Sequence, residues 1–209
     1  MLLLLTGCEF AYNNNPLIDT VGALIPGTGD VSAEAERIPY ASLRFSIAGR
    51  GGLIVLAEQS DGVTFWQSGQ RETVVLRDGY FVSTNGMPNA LEMTELTLPS
   101  SAADTMPWEA EAGVTRDYRV TRAWTLEDGS TQSAAADATM VCHAEIESQE
   151  LTLRTLGLQR CDERLSWADG ATTYSTYWRS PAKRRIWKAR TTAWPDGPEV
   201  EWDVARRWW

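Results

Sequence analysis

Ser42-Leu43-Arg44-Phe45-Ser46-Ile47-Ala48-Gly49-Arg50-Gly51-Gly52-Leu53-Ile54-Val55-Leu56 is the stretch that decides the fold. Leu43, Phe45 and Ile47 alternate with Arg44 and Ser46, which is the period-two pattern of a strand with one buried face. The Gly-rich segment from Gly49 to Gly52 then turns the chain into a second apolar run, Leu53 to Leu56, and the pair reads as a hairpin.

The same grammar continues outward. Asp61-Gly62 precedes Val63-Thr64-Phe65-Trp66, and Asp78-Gly79 separates Thr73-Val74-Val75-Leu76 from Tyr80-Phe81-Val82. Between Met87 and Met106 the alternation lapses, and Ala90-Leu91-Glu92-Met93 reads as the start of a short helix or as an edge turn. Tyr118, Val120, Arg122 and Trp124 alternate before the turn at Glu127-Asp128-Gly129-Ser130. Later strands are expected at 138–146, 150–156, 158–167, 171–179 and 184–193, with Ala168-Asp169-Gly170 as one tight turn. This makes about ten short strands, at the spacing of an all-β antiparallel meander forming a sandwich or a partly closed barrel. No fixed-period repeat supports a propeller or a solenoid.

Composition narrows the function classes. With 19 basic and 28 acidic residues the net charge is -9, which repels phosphate backbones, so nucleic acid is not an expected partner. The 43% apolar content and ten tryptophans belong to a folded globular protein. At 209 residues one domain with a full core is expected, together with a tail.

The tail has its own signature. Leu5-Thr6-Gly7-Cys8 has the form of a lipobox, in which small side chains admit the backbone to a tight protease site and the cysteine thiol takes a diacylglyceryl group. Met1 to Gly7 contains no Lys or Arg, so it is expected to be the truncated end of a longer lipoprotein signal. The organisation read from this is a signal remnant at 1–7, a lipidated tether at 8–33 and the all-β domain at 34–209. Asn13-Asn14-Asn15-Pro16 and Pro26-Gly27-Thr28-Gly29-Asp30 give the tether turn and loop chemistry. The run Met1 to Leu5 is too short to span a bilayer, so the expected membrane partner is reached through the lipid on Cys8. Glu9 after that cysteine, where an Asp would retain the protein at the inner membrane, favours the periplasmic face of the bacterial outer membrane.

Cys142 and Cys161 remain as an even pair for an oxidising compartment, and a disulfide is expected, with two separate buried thiols as the alternative. His143 is the sole histidine and lies beside Cys142, where strand neighbours point to opposite faces. Neither a metal site nor any cofactor is expected.

Several strings together resemble the YjbF family, the group-four capsule polysaccharide lipoproteins. They are the lipobox, Ile38-Pro39-Tyr40-Ala41-Ser42-Leu43, Ile54-Val55-Leu56 before Trp66, Thr84-Asn85-Gly86-Met87-Pro88 after the Arg77-Asp78-Gly79 hairpin, Tyr177-Trp178, and Ile186-Trp187-Lys188-Ala189-Arg190 with Trp194. The chain departs from the family pattern at Lys183-Arg184-Arg185, where a Gly is usual. The resemblance implies a β-rich fold, an envelope location and a part in exopolysaccharide or capsule assembly and export. It offers no established catalytic residues to carry over.

The sequence contains no phosphate-binding Gly-Lys-Ser/Thr loop, no Gly-x-Ser-x-Gly elbow and no dinucleotide fingerprint, so a non-enzymatic role is expected. The alternative is a polysaccharide-modifying enzyme with paired carboxylates, for which Asp104, Glu109 and Glu111 around Trp108 are the candidates. For glycan binding the candidates are Trp108, Trp178, Trp194, Trp208 and Trp209, since an indole can stack on a sugar face and donate its N–H. Trp187 alternates with Ile186 and Lys188 and reads as core, whereas the Trp208-Trp209 pair suggests docking onto the domain itself or onto a partner such as an export protein.

Overall fold

A computed structural model describes residues 31–99 and 105–209. A short helix, α1 (Ser32–Arg37), precedes twelve strands: β1 (Ser42–Ile47), β2 (Arg50–Ser60), β3 (Val63–Gln67), β4 (Thr73–Arg77), β5 (Tyr80–Asn85), β6 (Ala90–Thr97), β7 (Thr115–Thr125), β8 (Thr131–Leu151), β9 (Arg154–Trp167), β10 (Thr172–Arg179), β11 (Ile186–Thr192) and β12 (Glu199–Arg206). A 3₁₀ turn, Pro107–Glu109, lies between β6 and β7. The expected signal remnant at 1–7, residues 8–30 of the expected tether at 8–33, with Cys8, and Asp104 fall outside the described residues. Val31, the first described residue, packs against Ala35 and its neighbours.

The strands form one antiparallel sheet in the order β5-β4-β3-β2-β1-β12-β11-β10-β9-β8-β7-β6. Each strand pairs with its neighbour in sequence, and β1 pairs with β12, so the meander curls into a nearly closed barrel. β5 and β6 face each other across a seam without a ladder, bridged where the Leu91 N–H donates to Thr84 Oγ1 (3.0 Å). Of the two architectures expected, the barrel is the one formed.

Two expectations change. Residues 90–93 are neither helix nor turn: they open β6, where a register shift between Leu91 and Met93 interrupts the alternation that would mark a strand. The expected strands at 138–146 and 150–156 are parts of one long hairpin, in which β8 runs from Thr131 to Leu151 and turns at Thr152-Leu153 into β9. The tip of that hairpin is tied to the outer wall, where the backbone N–H and Oγ1 of Thr152 each donate to Asp203 Oδ1 (2.8 Å). Asp203 is buried there, and its second oxygen accepts from Arg44 Nε (2.6 Å). Outside the barrel, Ala35 of α1 and Ile38 just after it make a small second core with Leu53 and Ala205.

The inner face follows the alternation. Leu43, Phe45, Ile54, Trp66, Leu76, Val120, Leu165 and Trp202 are buried in the main core. Small side chains on β8 make room for large ones beside them: Ala138 pairs with Tyr118, and Ala136 with Trp167. Gly79, at φ +88°, turns β4 into β5 so closely against the opposite wall that a Cβ would lie 2.8 Å from that of Ile186.

Cys142 and Cys161 face each other directly across β8 and β9 and are joined in a disulfide, so the alternative of two free thiols does not apply. The bond closes a loop with a sequence separation of 19, for which the chain-entropy model gives about 3 kcal/mol. The double variant Cys142→Ser/Cys161→Ser should lose about that much stability in urea unfolding, with a slope no smaller than the parent's because its unfolded chain is freed; an unchanged extrapolated stability would show that the bond contributes nothing to the fold.

Candidate functional site

The turns divide into two sets. One end of the barrel carries the β1–β2, β3–β4, β5–β6, β7–β8, β9–β10 and β11–β12 connections; the other carries the remaining turns, the 3₁₀ turn and the start of β1.

The second end is closed. Trp108 is fully buried and stacks on Tyr80 with ring centroids 5.0 Å apart. Its carbonyl and that of Ala110 accept hydrogen bonds from Arg179 Nη1, and Arg184 donates to the Glu109 carbonyl and the Glu111 carboxylate. Four consecutive residues, 108–111, are thereby pinned into the barrel end as a stopper.

Beneath that stopper lies a buried carboxylate. Glu163 Oε1 accepts from Tyr80 Oη (2.8 Å) and from Tyr118 Oη in a closer contact, while Oε2 accepts from Tyr177 Oη (3.1 Å). The three phenols come from β5, β7 and β10, so one side chain of β9 ties three other strands together. Burial first, and the negative charge of Glu163 second, hold all three phenols well above their ordinary range. Arg122, also fully buried, donates from Nη1 to the carbonyls of Thr192 (2.6 Å) and Ala193 (3.0 Å) and lies 5.9 Å from the Trp167 ring. Glu163 was not among the candidates read from the sequence, where it sits in the charged string Asp162-Glu163-Arg164. Its signal was positional: it alternates with Cys161 and Leu165, the buried residues on either side.

The first end is open. A cavity of about 560 Å³ enters the barrel there. Phe45, Ile47, Ile54, Val74 and Trp194 form apolar walls, and Arg50, Gln70, Glu72, Asn89 and Glu127 add polar groups from four different turns or strand ends. Glu72 Oε2 accepts from Ser68 Oγ (3.2 Å), and the Asn89 side chain receives the Glu127 N–H (2.9 Å). Trp194 is braced against Trp124, with parallel rings 5.8 Å apart, and turns only a small part of its indole to the cavity.

The other candidate residues are dispersed. Trp108 belongs to the stopper and has no free face. Trp178 lies on the outer wall, its Nε1 donating to Glu147 (3.0 Å) and Lys188 Nζ over its ring at 5.1 Å. Trp208 and Trp209 dock at the closed end: Trp208 meets Trp66 edge-on at 4.9 Å, and Trp209 meets Trp187 at 5.1 Å. Of the two docking alternatives for this pair, contact with the domain's own surface is present. Glu109 and Glu111 are engaged by the Met106 N–H and by Arg184, and do not face the cavity. Among the described residues no cluster of His, Cys, Asp and Glu has the form of a metal site. His143 instead pairs with Asp162 (2.8 Å).

The family model for "Group 4 capsule polysaccharide lipoprotein gfcB, YjbF" matches residues 18–204, which takes in nearly the whole barrel. The chain belongs to the YjbF family. Membership makes it a membrane-anchored envelope lipoprotein with a capsule-related role. Among solved structures, the hypothetical lipoprotein YmcC from Escherichia coli K12 is similar at a TM-score of 0.68 and 15% sequence identity, over 85% of this chain and 89% of that one. At that identity the likeness shows a shared fold. No curated protein matches the chain.

The tyrosine cluster has a pH signature in this family barrel. A phenol whose pKa is raised by folding stabilises the native state fully below the unfolded value, about pH 10, and that stability is lost as pH rises through the folded value. Phenolate absorbance should therefore show Tyr80, Tyr118 and Tyr177 ionising only together with unfolding. Ionisation of all the tyrosines near pH 10 in a still-folded protein would contradict a dry Glu163 cluster.

Proposed function

We propose that this chain is a non-catalytic, lipid-anchored protein that supports exopolysaccharide or capsule assembly and export by taking a segment of glycan into the open-end cavity. Cys8 carries the lipid, and the periplasmic face of the outer membrane is its location. The observation that carries the binding role is the cavity itself, whose 560 Å³ falls within the roughly 300–1,000 Å³ of small-ligand sites. Its composition suits a sugar: apolar walls for the C–H faces of a pyranose, and amide, guanidinium and carboxylate groups for its hydroxyls. Trp194, the one member of the expected tryptophan set on this wall, supplies the aromatic contact.

Catalysis through paired carboxylates finds less support. Glu109 and Glu111 hold the stopper, Glu163 is saturated by phenols, and of the two glutamates at the cavity Glu72 accepts from Ser68 while Glu127 is held through its N–H by Asn89. An export component is the other occupant this cavity could receive, and the same test separates the two.

Ile47, half-buried at the end of β1, lines the cavity, and Ile47→Trp would obstruct it without touching the Glu163 cluster. Calorimetric titration with oligosaccharides cut from the host's own capsule should give binding that this variant weakens at least tenfold, on the order of 1.4 kcal/mol. Capsule yield in cells should fall in parallel. Equal oligosaccharide affinity in Ile47→Trp would remove the cavity from the account, and capsule loss without any measurable glycan binding would favour an export component.

A further inference from the structure

We propose that the closed end of the barrel is a membrane-seating face, in which Trp209 enters the headgroup region of an anionic bilayer and Lys183, Arg185 and Arg207 meet its phosphates. The inference rests on the reading of Cys8 as the lipid anchor, because an acyl chain brings this end to the surface it would contact.

Trp209 is built to project. Its ring is fixed by Trp187 and by Trp208 (4.2 Å), which is itself fixed by Trp66, yet 36% of the residue stays exposed. An indole held rigidly at a surface, apolar in body with one N–H donor, suits the interface between acyl chains and water. Cations surround it. The Arg185 guanidinium lies 5.0 Å from the Trp209 ring centre, Lys183 precedes it in the exposed β10–β11 turn, and Arg207 is exposed beside Trp208. This cluster stands out in a chain whose net charge is -9. Acids also stand at this end: Glu111 is paired with Arg184, Asp78 has Glu109 as well as Arg77 and Arg185 as neighbours, and Asp61 is exposed in the β2–β3 turn. Glu36 is exposed on α1.

The covalent path to the anchor starts at the same end. Ser42 of β1 pairs with Arg206, and Arg206 Nη2 donates to the Ala35 carbonyl of α1 (3.3 Å), the helix from which the chain continues back toward Cys8. The cavity opens at the opposite end, about 20 Å away for a six-residue strand. A barrel seated by Trp209 therefore holds its mouth away from the bilayer, open to polymer in the periplasm. One lipid anchor leaves a folded domain free to tumble on its tether; a second contact of basic and aromatic groups sets its orientation.

The full chain carrying Cys8→Ser, which cannot be acylated, should cosediment with vesicles of roughly three parts phosphatidylethanolamine to one part phosphatidylglycerol and not with pure phosphatidylcholine, and the binding should fall with salt. Lys183→Gln, Arg185→Gln and Arg207→Gln should each weaken it about fivefold. Trp209→Ser should abolish the blue shift of tryptophan emission on binding, while Ile47→Trp should leave binding unchanged. Circular dichroism and thermal midpoints keep unfolded variants out of the comparison. Patch variants that bind as the parent does, equal binding to both vesicle types, or no binding at all would overturn the proposal. Loss of an export-protein contact in the patch variants, with vesicle binding intact, would assign the face to protein instead. Mass spectrometry of Cys8 in cell-derived protein keeps the two readings apart: vesicle binding with unmodified Cys8 defeats only the anchor, and acylated Cys8 without vesicle binding defeats only the seating face.

Discussion

Glu163 sets the terms for the barrel. A carboxylate removed from water must keep its hydrogen-bond donors, because losing one leaves an uncompensated polar group at a cost of kilocalories. Its donors stand on β5, β7 and β10, so the requirement reaches across the β5–β6 seam, where no ladder holds the sheet. The phenols in turn position what lies above them. Tyr80 stacks on Tyr177 at 5.5 Å and on Trp108, and Arg179 and Arg184 fasten the segment that carries Trp108. Closure of one end is thus a consequence of how a single buried acid is satisfied.

An interior filled from one end leaves room at the other, where the cavity lies. That asymmetry gives the molecule a direction: a sealed pole with the C-terminal aromatic cluster and the helix leading toward Cys8, and an open pole with the cavity. The outer wall is not idle either. The β8–β9 hairpin ends on Asp203, whose two oxygens bind Thr152 and Arg44, and α1 is tied to that tip where Ser32 Oγ donates to the Thr152 carbonyl (3.0 Å). α1, the first described element, is therefore tied to the barrel wall.

Much of this was legible in the residues. Asp61-Gly62, Asp78-Gly79 and the Asp169-Gly170 turn fall where strands reverse, because positive φ selects Asp61, Gly62, Asp78, Gly79 and Gly170, and Asp169 accepts the Ala171 N–H across its turn. The alternation around Leu43 and around Tyr118 named inward faces correctly, and Arg122 was visible on such a face between Val120 and Trp124. Barrel and sandwich could not be separated, since the pairing of β1 with β12 joins residues at opposite ends of the domain and leaves no local trace. The expected site suffered from the same locality. Tryptophan chemistry suggests stacking surfaces, but whether an indole faces a ligand, a phenol or another indole depends on which strands meet: Trp108 went to the stopper, Trp178 to the outer wall, and Trp194 to the cavity. Arg50, Gln70, Asn89 and Glu127 look like ordinary turn residues in sequence and converge only because every second turn lies at one pole.

Under the proposed function, ligand enters the barrel at the open pole. Amide and methyl resonance mapping of the protein with capsule oligosaccharide tests it most directly. Shifts confined to the cavity wall, at Phe45, Ile47, Gly52, Val74 and Trp194, with Trp108, Trp178 and Trp209 unmoved, are the predicted result. Shifts centred on the outer wall around Trp178, or on the closed pole, would contradict it.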